Sequence, residues 1–280
     1  MSVFAIPPEK PIGDYIDVFL AQSTIEEIRS RRIGSGGAVT SMLCWLLEKG
    51  KIDAVVAIRR IRGFKGDVVI ARTKDEVIKA SGNKWQLVPF TAKLKDAIEH
   101  SALEKVAIVA LPCQAYFLRQ MRDFPLLETE FGKRLDLIIS LFCFGTFAHE
   151  AFLSYLKSKY NISAEQIQDI RLVGDVLTIH YDKKEVKIPT KEVISYMQVG
   201  CLVCPDYTGV FGDISAGISE NYLGWTVLIA RTKKGLEIIK QVADEGYITI
   251  KQAPGSVIEE IELKARAKIS RASKYALALL

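Results

Sequence analysis

Four of the five cysteines in this 280-residue chain lie where they could ligate one metal centre. Cys201 and Cys204 form a C-x-x-C pair in the segment GCLVCPDYTG, and two thiolates at this spacing bind one metal centre without strain. Cys113 follows a predicted strand in LPCQ, and Cys143 ends another in LFCFG. Strand-end thiolates can converge at one edge of an α/β sheet, which makes these four residues a candidate metal site. The alternative is that Cys113 and Cys143 are small buried hydrophobic residues.

The spacing of the cysteines leaves zinc and an iron–sulfur cluster both open. Structural zinc sites commonly use two close pairs, whereas one pair plus two distant cysteines suits a cubane cluster at least as well. A thioredoxin-type motif is disfavoured, because Pro205 follows the pair directly and no long amphipathic helix does. Only His100, His149 and His180 are present, too few for a zinc hydrolase or a Ser-His-Asp enzyme. Cys44 lies in an apolar helix and is predicted to be core.

Three segments rich in small residues could hold a ligand. GSGG at residues 34–37 precedes a helix, whose N-terminal N–H groups suit a phosphate or a flavin edge, although a simple helix-entry turn explains it too. It matches neither a Walker loop nor G-x-G-x-x-G after a strand. SGNKW at residues 81–85 combines a turn, a cation and an aromatic ring, which fits an anionic planar ligand or, equally, a helix end with a surface lysine. Residues 212–217, GDISAG, form the third loop.

Composition restricts the class of protein. The chain is 49% hydrophobic and 25% charged, which excludes a disordered or fibrous protein, and its net charge of +5 fits an anionic ligand but is too small to indicate nucleic acid. The apolar stretch at residues 137–148 is shorter than the ~20 residues of a spanning helix, and the N-terminus lacks a signal-peptide pattern. We therefore expect a soluble, cytoplasmic protein that neither spans a membrane nor binds nucleic acid.

Alternating strands and helices predict an α/β (mixed α+β) fold, with a mixed sheet flanked by helices, a cluster-bearing loop segment and a long C-terminal helix. Predicted strands lie at residues 54–58, 68–71, 106–111, 135–142 and 225–230, and a hairpin at 170–187. Predicted helices lie at residues 41–47, 74–80, 92–100, 116–122 and 148–160. From residue 257 onward an apolar stripe runs along one helix face: Ile258, Ile261, Ala265, Ile269, Ala272, Ala276 and Leu279. Its other face holds Lys264, Arg266, Lys268, Arg271 and Lys274.

Several motifs in chain order resemble those of the coenzyme F420 hydrogenase/dehydrogenase beta-subunit family. They are GGAVT, SGNKW, LPCQxxxLR, LFC, GCxxCxDY, GDISAG and GWTVLIARTxxG, and they cover about residues 30–250. The resemblance implies an F420-dependent oxidoreductase of methanogenic archaea that binds FAD and one [4Fe–4S] cluster and uses coenzyme F420 as its substrate. It also implies a subunit of a larger redox complex of hydrogenase, formate dehydrogenase or heterodisulfide reductase type. F420H2 donates a hydride and a cluster accepts single electrons, and a flavin can do both.

The resemblance also assigns residues. The implied cluster ligands are Cys113, Cys143, Cys201 and Cys204. The implied cofactor-binding residues are Gly36, Gly37, Ala38, Thr40, Ser81, Gly82, Asn83, Lys84, Trp85, Asp213, Ser215 and Gly217. Arg119 and Arg231 are candidates for the anionic coenzyme tail, or alternatively ordinary salt-bridge residues. No catalytic acid–base residue is implied.

Two departures from the family pattern leave the substrate open. Trp85 stands where relatives commonly carry tyrosine, and residues 218–224 differ from the glycine-rich loop of relatives. A family member that acts on another substrate, as in the chlorophyll-reductase branch, is one alternative, and a non-catalytic electron-transfer or metal-binding subunit is another. We divide the chain into residues 1–100, residues 101–250 with the cluster ligands, and a docking helix at 251–280, which could instead pack on its own domain.

Overall fold

The computed structural model describes residues 6, 9–30, 35–82, 85–86, 88, 90–100 and 102–278. The strands are β1 (Asp17–Ser23), β2 (Ala54–Arg62), β3 (Lys65–Ala71), β4 (Val106–Ala110), β5 (Leu135–Leu141), β6 (Ile167–Val173), β7 (Val176–Tyr181), β8 (Lys184–Pro189), β9 (Ile214–Gly217), β10 (Thr226–Ala230) and β11 (Ile248–Gln252). The helices are α1 (Glu26–Ser30), α2 (Ala38–Glu48), α3 (Lys74–Ala80), α4 (Phe90–His100), α5 (Pro112–Asp123), α6 (His149–Tyr160), α7 (Thr190–Val193), α8 (Val199–Leu202), α9 (Lys233–Asp244) and α10 (Gly255–Ala278). Four 3-10 segments lie at Leu127–Arg134, Ala164–Gln166, Ile194–Tyr196 and Glu220–Tyr222.

A mixed eight-stranded sheet organises the molecule, in the order β11-β1-β10-β9-β5-β4-β2-β3. Its centre, β2-β4-β5-β9, is parallel, and the remaining pairings are antiparallel. Strands β6, β7 and β8 form a separate antiparallel sheet. Parallel strands are covered on both faces, which explains why β4 (VAIVA) is almost continuously apolar and buried. The mixed α/β fold predicted from the sequence is thereby confirmed.

Helices cover both faces of the large sheet, because successive residues of each strand point to opposite sides. On β2, Val55 packs with α2, α3 and α9, whereas Val56 packs with α4 and α5. On β1, Phe19 joins the first of these cores and Leu20 packs against α10 on the opposite face. The small sheet and α6 form a further core. The sheet is therefore the middle of three layers.

The start of α5 lies earlier than the sequence predicted. We predicted that the chain after β4 stops at Pro112 and that a helix begins near residue 116, but α5 begins at Pro112 itself. Proline suits the first helical turn, where its missing N–H would have no helical partner. The earlier start places Cys113 in the first turn of α5.

Other predictions differ from the structure in extent. The predicted hairpin at 170–187 is a three-stranded sheet, and β1, β9, α9 and β11 were not predicted. Strands from both sides of residue 100 share the large sheet, and the division of the chain at that position stays a prediction.

The apolar stripe of α10 packs on its own chain, which is the second of the two alternatives for this helix. Val257, Ile261 and Ala265 are buried against β1 and β10. Docking of the helix on a partner stays a prediction. Within the described residues, no helix combines the length and apolar character that crossing a bilayer requires.

Candidate functional site

A cavity of about 390 Å³ opens at the carboxyl ends of the parallel strands β4, β5 and β9. This edge is where open α/β sheets bind ligands. The cavity is lined mainly by the start of α2, by strands β2 and β3, by the end of α3 and the turn after it, by the ends of β4 and β5, and by the start of the chain after β9. The principal lining residues are Ser35, Gly37, Thr40, Val55, Ala57, Ser81, Gly82, Trp85, Val109, Gln114, Phe142, Cys143, Phe144, Tyr207 and Gly217.

The described lining of the cavity carries no aspartate, glutamate, lysine or arginine. Its walls are aliphatic and aromatic side chains, with a few polar groups such as Thr40, Gln86 and Gln114. Such a wall suits a flat, uncharged ring that is held by shape and a few hydrogen bonds.

The first turn of α2 contributes backbone donors to one side of the cavity. Its N-cap is Gly37 (φ 71°), which has no side chain to cap the helix, and its first turn contains no acidic residue, although the Ala38 N–H donates to Thr226 Oγ1 (3.4 Å). A Cβ on Gly36 would lie 2.4 Å from the Ala21 carbonyl oxygen, which requires glycine at that position too. The glycines are thus needed by the helix-entry turn, and the turn leaves a helix N-terminus at the cavity, where an anion is stabilised.

The four predicted metal ligands lie near one another beside the cavity; we call Cys113, Cys143, Cys201 and Cys204 the four-cysteine group. Cys113 lies on α5, Cys143 follows β5, Cys201 lies on α8 and Cys204 follows it. The Cys143 N–H donates to the Tyr207 carbonyl (2.8 Å), which joins two of these segments. Cys44 lies apart from them in the buried core of α2, as predicted.

The thiols of the four-cysteine group are close enough to influence one another. Burial raises the pKa of the Cys113 thiol to about 12, and the neighbouring Cys143, Cys204 and Cys201 raise it further. Cys113 is nevertheless exposed to solvent, although protein surrounds much of its thiol. Burial also raises the pKa of Cys143, while Lys268 and the Gly145 N–H lower it. Ligation of a metal therefore has to displace protons from these thiols.

The donor set fits an iron–sulfur cluster in its chemistry, since four thiolates are the usual ligands of a [4Fe–4S] centre. The Thr146 N–H also points at Cys201 Sγ (3.4 Å), the kind of hydrogen bond to sulfur that tunes such centres. In the part of the chain that the structure describes, no three His, Cys, Asp or Glu side chains are grouped tightly enough to hold a single metal ion. The cluster assignment stays a prediction.

Sequence reasoning missed two cations that border the four-cysteine group, Lys268 and Arg271 of α10. Lys268 is only 4% exposed, and its Nζ donates to the carbonyls of Cys143 (2.6 Å) and Asp206 (2.7 Å). Arg271 Nη2 donates to the carbonyls of Phe144 (2.6 Å) and Cys201 (3.3 Å). We had placed both on the polar face. Lys268 falls three residues after Ala265, at the spacing of the buried stripe, and that spacing was the available signal.

The predicted cofactor-binding residues divide into two sets. Those that line the cavity are Gly37, Thr40, Ser81, Gly82, Trp85 and Gly217. Those that do not line it are Gly36, Ala38, Asp213, Ser215, Arg119 and Arg231. Asn83 and Lys84 lie outside the described residues. A Cβ on Gly217 would lie 1.9 Å from the Phe142 ring, so this glycine keeps the two lining segments in contact.

Asp213 connects elements behind the cavity. Its carboxylate accepts two hydrogen bonds from Arg122 (2.7 and 3.1 Å) and one from the Ile138 N–H (2.9 Å), and Arg119 lies 3.7 Å away. These contacts tie α5 to β5 and to the start of β9. In this structure Asp213 therefore positions the strand ends, and Arg119 faces a carboxylate.

Arg231 is surrounded by protein acceptors. It donates to Ser215 Oγ (2.5 Å), Thr208 Oγ1 (2.8 Å) and the carbonyls of Ile12 and Asp14 (both 2.9 Å). Burial lowers the pKa of Arg231 to about 10, although the negative charges of Asp206 and Asp14 act to raise it. These bonds hold the loop after the C-x-x-C pair against the N-terminal segment.

Trp85 joins the cavity to the loop that follows Cys143. Its Nε1 donates to the Ile170 carbonyl (2.9 Å), and its ring stacks on Phe147 with centroids 5.6 Å apart. Thr146 donates to the Trp85 carbonyl. The residue that departs from the family pattern therefore links the cavity wall to β6 of the small sheet.

Two family models match the chain over most of its length. Residues 18–95 match the N-terminal region of the coenzyme F420 hydrogenase/dehydrogenase beta subunit, and residues 103–255 match its C terminus. Both matches include segments that line the cavity, and the C-terminal match contains the whole four-cysteine group.

Similar proteins have related descriptions. The coenzyme F420 hydrogenase subunit beta of Methanothermobacter thermautotrophicus is 29% identical, with 90% of this chain and 88% of that protein covered. The coenzyme F420-dependent sulfite reductase of Methanocaldococcus jannaschii is 30% identical over 85% of this chain and 38% of that protein. A chain in the F420-reducing [NiFe] hydrogenase complex of Methanosarcina barkeri superposes with a TM-score of 0.87 at 25% identity, covering 94% of this chain and 92% of that one.

Proposed function

Because this chain belongs to the coenzyme F420 hydrogenase/dehydrogenase beta-subunit family, we propose that it is the flavin- and cluster-carrying subunit of a multi-subunit redox complex. In this function it transfers a hydride between coenzyme F420 and FAD and passes single electrons through a [4Fe–4S] cluster to partner subunits. FAD supplies the chemistry that joins hydride transfer to single-electron transfer.

One observation carries the proposal: the cavity and the four-cysteine group adjoin at the same edge of the sheet. Cys143 belongs to both, since it lines the cavity and is one of the four thiols. Electron transfer between two cofactors requires them to be neighbours, and this shared residue would make them so.

The cavity residues have a binding role in this proposal. The neutral wall that includes Val109 and Ala57 would hold a planar ring, and the Gly37 end of α2 would offer N–H donors to phosphate. Gln114 and Thr40 are polar groups within the same lining that could orient the ring. None of these residues has to donate or accept a proton in the reaction.

The four-cysteine group would bind the cluster. Cys113, at the start of α5, would gain from the helix N-terminus, which favours a thiolate. It is also the exposed member of the group and therefore the side from which electrons would leave. That the relatives are named as subunits of complexes supports the presence of a partner chain.

The test is an anaerobic absorption spectrum of the full chain loaded with FAD, iron and sulfide, followed by addition of F420H2. We expect flavin bands and a broad shoulder near ~400 nm from thiolate-ligated iron, both of which bleach on addition of F420H2. A parallel sample prepared without iron should show flavin bands that bleach and no shoulder. NADH serves as the donor control and should leave both features unchanged.

Two results would contradict the proposal at different points. A protein that binds both cofactors but is not bleached by F420H2 acts on another substrate. A colourless protein that contains zinc is not a redox subunit.

A further inference from the structure

A buried cation, Lys268, and a partly buried one, Arg271, lie beside the four-cysteine group, and neither forms an ion pair with a carboxylate in the described residues. Lys268 is 4% exposed and donates to two carbonyl oxygens, and Arg271 donates to two more. A buried charge is costly unless an opposite charge compensates it. These cations therefore call for an anion close by.

The neighbouring carboxylate, Asp206, is already occupied by other donors. Its oxygens accept the N–H groups of Gly209 (2.7 Å) and Val210 (3.0 Å). Asp206 faces Arg231 as well as Lys268, so its single negative charge is shared between two cations. One buried carboxylate thus lies between Lys268 and Arg231, and Arg271 has no carboxylate partner among the described residues.

The remaining groups near Arg271 that can carry negative charge are the sulfurs of Cys143, Cys201 and Cys204, which become thiolates when they ligate a cluster. Arg271 also has a buried Nε–H with no acceptor in the described chain, and its guanidinium lies 4.7 Å from the centroid of the Phe144 ring. One donor of this arginine is therefore left for an anionic neighbour.

The same two side chains hold the cysteine segments together. Lys268 bridges the carbonyl of Cys143 to that of Asp206, two residues after Cys204, and Arg271 bridges Phe144 to Cys201. Each cation therefore joins the segment after β5 to the C-x-x-C segment. The matched family model ends at residue 255, so both cations lie beyond it.

We propose that Lys268 and Arg271 are positioning residues for the cluster, which hold its cysteine segments in place and stabilise its reduced form by their charge. The inference rests on the proposed function, because it requires a bound cluster. A cluster with four thiolate ligands becomes more anionic when it gains an electron, so nearby positive charge favours reduction. Removing either charge should therefore lower the midpoint potential.

The experiment is an EPR-monitored redox titration of the full chain loaded with iron and sulfide, comparing wild type with Lys268→Met and Arg271→Gln. At the wild-type midpoint we expect each neutral variant to hold about one tenth of the wild-type ratio of reduced to oxidised cluster, equivalent to about 59 mV for a one-electron couple. Lys268→Arg keeps the charge and should stay within about twofold of wild type. Lys274→Gln removes an exposed charge from the same helix and should do the same.

Iron content and thermal unfolding before loading accompany each titration, so that a folding defect is not read as a redox effect. Equal midpoints in wild type and both neutral variants, at equal iron content, would overturn the inference and leave the proposed function standing. Loss of iron from both neutral variants, with Lys268→Arg and Lys274→Gln loaded normally, would support the positioning role. A wild-type chain that assembles no cluster would overturn the proposed function itself.

Discussion

The cavity and the four-cysteine group share one edge of the large sheet, yet their electrostatics are opposite. The described cavity wall is neutral, and its polar groups are amides, hydroxyls and one phenol, with the Cys143 thiol at its border. The four-cysteine group is bordered by Lys268 and Arg271, two largely buried cations on a helix from the far end of the chain. Among the described residues, charged side chains are thus absent from the cavity wall and present beside the four-cysteine group.

In the proposed function, this difference would let one sheet edge hold two unlike cofactors. A neutral wall binds a flat ring through dispersion and desolvation, and it does not bias the ring toward one charge state. A cationic border stabilises an anionic centre and its reduction. Cys143 lies at the boundary, since it lines the cavity while its carbonyl accepts from Lys268.

The largest effect should come from removing one thiolate. We expect Cys204→Ser to lose most of the approximately four iron atoms that the loaded chain holds, because a serine hydroxyl is a poor substitute for a thiolate ligand. FAD binding should change little, since Cys204 is absent from the described cavity lining. Iron and sulfide analysis with a flavin titration measures both.

The matched control for that variant is Cys44→Ala, the cysteine in the core of α2. It should keep full iron content and lose only packing energy. Equal iron loss in both variants would remove the distinction between the two kinds of cysteine.

An intermediate effect is expected from placing a charge in the neutral wall. Val109→Asp should weaken FAD binding about 100-fold, because a carboxylate buried under a bound ring costs about 3 kcal/mol. Val109→Asn has nearly the same size without the charge and should cost much less. Fluorescence titration of FAD gives both affinities, and equal losses would mean that shape and not neutrality governs the wall.

The smallest effect concerns the residue that links the cavity to the small sheet. Trp85→Tyr should lower the free energy of unfolding by about 1 kcal/mol, since the hydrogen bond to the Ile170 carbonyl is lost while stacking on Phe147 is kept. FAD affinity should change less than about threefold. Urea unfolding and flavin titration provide the measurements. Trp85→Phe is the control, because it keeps an aromatic ring but has neither the indole N–H nor a phenol hydroxyl. A large loss of FAD affinity in both would instead make Trp85 a direct ligand-binding residue.

Much of the fold was predictable because its strands and helices have strong local signals. The strand at 106–110 and the helices at 38–48 and 149–160 follow from the hydrophobic pattern of those segments and from the Gly and Pro residues that flank segments of this kind. The short strand β9 was not predicted, because four residues rich in Ser, Ala and Gly have little strand propensity of their own. Its pairing with β5 and β10 defines it, and that pairing comes from distant parts of the chain.

For the site, the sequence predicted which residues have the required chemistry, but it did not predict the environment of each residue. The sequence separated Cys44 from the other four cysteines, since an apolar helix and strand-end loops are local features. It placed Lys268 and Arg271 on a polar face, because a lysine in a helical pattern is ordinarily exposed. Only the tertiary structure packs α10 against the loops after β5 and α8 and so buries them.

The sequence by itself therefore determined which groups are available: four thiols, glycine turns that only glycine can make, and a buried mixed sheet. The tertiary structure decided which groups meet, because the four-cysteine group is drawn from segments 30 to 90 residues apart and its cations from a helix beyond them. Spacing along the chain fixes contacts only within a turn or two of a helix or a hairpin. Contacts over longer separations depend on how strands pair and helices pack, which is where the charge around this site is set.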